Sequence, residues 1–157
     1  ENLVRYINEM RETLGLNVIS ATSPREAVED SDIVVTAGPI LKTSKPVIED
    51  SWFKRGGLAV PLDFDSYWKG EALCSVDKFY TDDASQLLYY RSIGYFQKIP
   101  PIFGELSDVV TGKKPGREGE DERIISMNLG VAMADIATAV KIYELAKRKG
   151  IGRILPL

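Results

Sequence analysis

Apolar positions along this chain switch between helical spacing and short continuous runs, and the alternation predicts an α/β protein with a parallel sheet. Leu3, Ile7, Met10 and Leu14 recur every three or four residues, which predicts an amphipathic helix closed by Gly15. A β-branched pair, Val18 and Ile19, predicts a strand. Ser23 then supplies an N-cap hydroxyl and Pro24 a first helical position, so a short helix is expected through Ala27 and Val28. Ile33, Val34 and Val35 are continuously apolar, as in a strand buried on both faces, and residues 57–62 repeat the pattern. Pro61 has no N–H for a ladder, so pairing should stop there. Between the two runs, residues 47–53 read as a short helix. Residues 75–80 set Val76, Lys78 and Tyr80 against Asp77 and Phe79, which predicts an edge strand, and Asp82-Asp83 caps a helix through Gln86, Leu87 and Tyr90.

Beyond residue 99 the character changes. Pro100-Pro101 breaks any preceding helix, and residues 105–111 amount to one or two helical turns. The stretch 112–123, GKKPGREGEDER, holds three glycines, one proline and eight charges, and reads as a solvated loop. A phosphate cradle would need those glycines between a strand and a helix, and no strand is expected before them. Leu129, Met133, Ile136, Val140 and Tyr143 then form one apolar seam along a helix of about five turns, read as core packing. Lys147, Arg148 and Lys149 suit its carboxyl end and Gly150 closes it, while its amino end, after Ser126-Met127-Asn128, offers free N–H groups to an anion.

Composition narrows the possibilities only a little. The 157 residues are 44% hydrophobic and 27% charged, an ordinary balance for a folded domain or for part of a larger protein. A net charge of −3 provides no basic face for nucleic acid, and no apolar run approaches a membrane span, so neither nucleic acid nor membrane is an expected partner. With no histidine and only Cys74, a zinc site is not expected, no internal disulfide can form, and a reducing cytoplasm is the expected location.

The candidate chemistry lies at the ends of the two buried strands. In open α/β sheets the ligand crevice lies outside the carboxyl ends of the strands. The second strand runs there into Leu62, Asp63, Phe64 and Asp65, and two carboxylates two residues apart on an extended segment would point the same way. A carboxylate in such a crevice can take a proton from a substrate.

Four motifs in order, DSDIVVTAG, GGLAVPLDFD with Lys69 soon after, ELSDVVTGKKPGR and NLGVAMADIATAVKIYELAKRKGIG, resemble the ornithine cyclodeaminase and mu-crystallin family from about Ser23 to Leu157. The resemblance implies a Rossmann-type doubly wound sheet that binds NAD or NADP, joined to a substrate and dimerisation domain. It implies an enzyme moving hydride between a small α-amino or α-imino acid and nicotinamide. That enzyme would be a cyclodeaminase, with an amino-acid dehydrogenase, a ketimine reductase or a non-catalytic mu-crystallin-like binder as alternatives. By position, Asp65 matches the catalytic aspartate; Ala37 and Gly38 match the turn where the cofactor crosses the sheet; Leu62, Asp63 and Phe64 match the loop lining the nicotinamide. Lys69 and Asn128 match further cofactor contacts, and Leu129 a substrate contact. Relatives often have small residues where this chain has Asp63 and Phe64, and Ser or Thr in place of Asn128.

The implied division is residues 1–99 as the carboxyl part of a nicotinamide-binding domain, and 100–157 as a loop and long helix packing on it and returning toward the substrate and dimerisation domain. The sequence contains no glycine-rich pyrophosphate turn. In the order 3-2-1-4-5-6 the Val18 strand would be third and the Ile33 strand fourth, with two strands between them. The expected partners are therefore an N-terminal remainder of the same protein, a second copy in a homodimer, and a small amino-acid or imino-acid substrate.

Overall fold

The computed structural model describes residues 2–153 and 155; Glu1, where the expected 1–99 division begins, and Leu157, where the resemblance ends, lie outside them. The elements are α1 (Asn2–Leu14), α2 (Pro24–Val28), β1 (Ile33–Thr36), a 3-10 turn (Asp50–Trp52), β2 (Leu58–Pro61), α3 (Gly70–Cys74), β3 (Lys78–Thr81), α4 (Ala84–Ser92), β4 (Gly104–Glu105), α5 (Leu106–Val110), β5 (Ile124–Met127) and α6 (Ala132–Lys149). The strands form one sheet in the order β1-β2-β5-β3-β4, every pairing parallel. The expected Rossmann-type α/β class is borne out.

The two apolar runs become β1 and β2, in register from Ile33 opposite Leu58 to Thr36 opposite Pro61. The first is not buried on both faces as expected: β1 is an edge strand, with Val34 buried and Ile33 and Val35 exposed. Pro61 ends β2 as its missing N–H requires, while its carbonyl still accepts from the Asn128 amide at 3.2 Å. The caps form as well: Ser23 accepts from the Glu26 amide and Asp83 from the Gln86 amide. Ala59, Phe79, Ile125 and Met127 fill the core with Trp68, Leu73, Leu87 and Phe96.

Several expectations need correction. The strand at Val18 and Ile19 does not form: residues 15–21 are irregular, Ile19 is exposed, and none of the five strands runs beside them to pair their amides. The helix at 47–53 shrinks to the 3-10 turn, because Ile48 pairs as a single bridge with Trp68. The expected edge strand lies inside the sheet, at Lys78–Thr81, with all four residues buried. Its lysine is tolerated because the ammonium donates to the Gly116 carbonyl at 2.8 Å and to Glu118 at 2.7 Å, and also meets Glu122. This contact fastens the charged 112–123 loop onto the sheet.

The largest correction is β5, which the sequence reading lacks. It joins the β1-β2 pair to the β3-β4 pair, so the sheet takes strands from both sides of residue 99. Arg123, just before it, donates to Asp50 at 2.7 Å and to the carbonyls of Phe53 and Ser75, which pins the start of β5. The seam of α6 is not core packing within this chain either. Met133, Ile136, Val140 and Tyr143 are all exposed, and neither α1 nor α6 contains a buried residue. Among the described residues no helix is long and apolar enough to cross a membrane.

Candidate functional site

Because all five strands are parallel, their carboxyl ends open on one side of the sheet. Four turns meet the solvent there: Ala37-Gly38 after β1, residues 62–65 after β2, residues 128–130 after β5, and Asp82-Asp83 after β3.

Asp63 ties the first two turns together. It is fully buried; its Oδ1 accepts from the Thr36 hydroxyl at 2.7 Å and its Oδ2 from the Gly38 amide at 2.9 Å. Trp68 Nε1 in turn donates to Thr36 Oγ1 at 3.3 Å. Next to this network Ser66, also buried, accepts from the Leu41 amide through its hydroxyl. Gly38 lies so close to the Tyr67 ring that a β-carbon would come within 2.6 Å of it. Thr36, Ala37, Gly38, Ile48, Asp63 and Tyr67 are among the residues lining a cavity of about 570 Å³.

The expected side-by-side carboxylates are not found. Phe64 takes a left-handed backbone (φ 60°), which breaks the extended alternation and sends the two acids to different partners. Phe64 itself is buried against Tyr90, Phe96 and Tyr95, with ring centroids 4.8, 5.0 and 5.4 Å away. Asp65 is half-buried, and its Oδ2 accepts from the Phe96 amide at 2.8 Å. Burial pushes its carboxyl above the ordinary range, outweighing the amide bond that opposes the shift. Leu62 is exposed beside them.

The remaining expected residues are spread more widely. Lys69 precedes α3, pairs with Glu49 at 2.6 Å and is not part of the cavity wall. Asn128 is held by its amide to Pro61, and its side-chain oxygen accepts from Ser126 at 3.0 Å. Leu129 packs partly buried against the core. The structure thus brings Ala37, Gly38 and Asp63 together around one cavity, with Leu62, Phe64 and Asp65 on the adjoining turn and Asn128 and Leu129 at the next strand end. The sequence reading missed Asp82, whose carboxylate accepts from the amides of Leu129 and Gly130. The available signal was two acids in a row after a strand, of which a helix cap uses only one.

The signature described as the ornithine cyclodeaminase/mu-crystallin family matches residues 1–150. The chain belongs to that family. Among curated relatives it is 32% identical to the N-((2S)-2-amino-2-carboxyethyl)-L-glutamate dehydrogenase of Staphylococcus aureus, over 90% of this chain and 43% of that protein. It is 28% identical to the nodulation efficiency protein NfeD of Rhizobium meliloti, over 99% of this chain and 48% of that one. Among solved structures, the Delta(1)-pyrroline-2-carboxylate reductase of Thermococcus litoralis, in complex with NADH and L-proline, superposes with a TM-score of 0.79 at 26% identity, covering 98% of this chain and 50% of that one. The chain spans about half the length of the relatives it matches.

Proposed function

We propose that this chain forms part of the nicotinamide-binding region of an NAD(P)-dependent enzyme that moves hydride between the α-carbon of a small amino or imino acid and the cofactor. The observation that carries the reading is the pair of turns at the carboxyl ends of β1 and β2, where the Gly38 amide of the Ala37-Gly38 turn is fastened to Asp63. A cofactor crossing a parallel sheet needs a backbone turn it can approach closely, and Gly38 lets that turn lie against the Tyr67 ring, where a β-carbon would clash. Leu62 offers an exposed apolar surface next to it, as a nicotinamide ring would use. These residues fit the group, which supplies the hydride acceptor or donor when bound.

The chain's own contribution is a carboxylate that takes the proton leaving the substrate nitrogen as the α-carbon is oxidised, or returns it in the reverse direction. We assign this role to Asp65, which follows the strand end directly and whose proton affinity is raised by burial. A second reading puts the proton acceptor at Asp63, and one observation favours it: Asp63 lines the cavity, while the Asp65 carboxylate is turned to Phe96. The remaining assignments are Phe64, Lys69 and Asn128 to the cofactor, and Leu129 to the substrate.

Within this reading the enzyme is a cyclodeaminase, with an amino-acid dehydrogenase or imine reductase as the alternative, since a cyclodeaminase, a dehydrogenase and an imine reductase all stand among the relatives. In this reading the uncovered seams of α1 and α6 and the outer edge of β1 are covered by a complementing segment of the same protein and by a second copy. The protein works in the reducing cytoplasm that suits its single cysteine.

The test is NADH and NADPH binding followed by nicotinamide fluorescence, with turnover of small amino and imino acids, on the protein and its D65N and D63N variants. The reading expects nucleotide binding in all three and loss of turnover in whichever variant removes the proton acceptor. Absence of nucleotide binding in the unsubstituted protein overturns it. Nucleotide binding without turnover would indicate a binding protein, equal turnover in all three would overturn both acid assignments, and net change in reduced cofactor separates a dehydrogenase from a cyclodeaminase.

A further inference from the structure

Asp82 follows β3 directly, yet its carboxylate serves a turn 47 positions further along the chain. Its Oδ1 accepts from the Leu129 amide at 3.1 Å and its Oδ2 from the Gly130 amide at 2.7 Å, one oxygen to each N–H. These amides precede α6, whose N-cap residue Val131 provides no side-chain cap. Both lie ahead of the N-cap, so neither has an acceptor within α6, and Asp82 supplies one to each. Gly130 has φ 92° and open space where a β-carbon would sit, so it is required for its backbone conformation and not for room. On the other side of the turn, the Asn128 amide donates to the Pro61 carbonyl of β2. The β5–α6 turn is therefore held from both flanking strands, by a carbonyl at the end of β2 and a carboxylate at the end of β3.

We propose that Asp82 is a positioning residue that sets Asn128 and Leu129 against the crevice by clamping the amides of Leu129 and Gly130. The proposal rests on the nicotinamide reading above. The chemistry demands an acid: two N–H groups converge on two oxygens, and asparagine would turn an NH2 toward one of them. The neighbouring Asp83 shows the contrast. Its carboxylate accepts from the Gln86 amide at 2.8 Å and caps only α4. Loss of Asp83 removes a helix cap, whereas loss of Asp82 releases a turn at the site.

The experiment compares D82N, D83N and G130A in the full-length protein, measuring NADH affinity, kcat and KM for a small amino or imino acid, urea midpoints, and hydrogen exchange at the Leu129 and Gly130 amides. D82N should lower kcat/KM on the order of tenfold or more, with faster exchange at both amides and a urea midpoint close to that of D83N. G130A, which strains the same turn without altering charge, should reproduce the kinetic change, and D83N should leave kcat/KM unchanged. D82N kinetics equal to those of D83N overturn the clamp while leaving the nicotinamide reading intact. If D82N does not fold, G130A decides, and normal kinetics in it overturn the proposal. An unsubstituted protein that binds no NADH overturns the functional reading and this inference with it.

Discussion

The Gly38 amide donates to the Asp63 carboxylate at 2.9 Å, joining two strand ends that are 25 positions apart in sequence. The same carboxylate holds the Thr36 hydroxyl. Replacing Asp63 with alanine removes the acceptor of both donors at a part-buried place, at a cost of about 2 kcal/mol. Asparagine keeps an oxygen for Gly38 and can donate to Thr36, so D63N should lose far less. Urea denaturation of the two variants checks the difference, and equal losses would show that charge and not hydrogen bonding holds the turns.

Asp65 makes a prediction about pH. Burial raises its folded value above the ordinary 3.8, so between the unfolded and folded values the native state holds more protons than the unfolded chain. This group's contribution to stability is present below the unfolded value and is lost as pH rises through the folded one. D65N keeps an acceptor for the Phe96 amide and avoids burying a charge. It should match or exceed the parent's stability at pH 7, with the difference shrinking as pH falls below the carboxylate range. Unfolding midpoints from pH 3 to 8 test this; a variant less stable at pH 7 and equal at pH 3 contradicts the sign.

Gly38 gives a steric prediction. A methyl group at position 38 meets the Tyr67 ring, whose hydroxyl donates to the Pro39 carbonyl at 3.2 Å. G38A should push the ring aside and weaken nucleotide binding, and Y67A should relieve the clash and recover part of the loss. A double-mutant cycle on NADH affinity measures the coupling. Additive effects would mean the ring and the glycine act separately.

The Lys78 cluster should respond asymmetrically. Removing both acids with E118Q and E122Q leaves a buried ammonium without a charged partner, at a cost of about 3 kcal/mol. K78M removes the charge itself and frees two glutamates that can face water, so it should cost much less. Urea midpoints of the double variant and of K78M give the order, and a reversed order would contradict the account.

How much of this was legible depends on the kind of signal. The β1 and β2 strands announced themselves through unbroken apolar runs, although in β1 only Val34 is buried, and the turns after them were located by sheet logic alone. The β3 strand was misplaced to an edge because Lys78 reads as solvent-facing, and its partners, Glu118 and Glu122, lie about 40 positions away in a loop. The β5 strand was hidden because Ile124 and Ile125 follow a charged loop and merge into the run that begins α6. The α6 seam had the right period for a helix, but periodicity reveals which face is apolar without revealing what covers it. At the site, Asp63 and Asp65 were found by position, but their divergence follows from the left-handed Phe64, which no residue pattern signalled.

The strand that closes the sheet is the last in sequence among the described residues and the third across it. As the polypeptide leaves the ribosome, β1 can meet β2 and β3 can meet β4, but isolated two-stranded pieces are marginal in water. Neither half is consolidated until residues 124–127 arrive between them. Sequence-distant pairing of this kind slows folding and leaves edges open meanwhile. A chain interrupted ahead of Ile124 would therefore be an aggregation hazard, and not a smaller working domain.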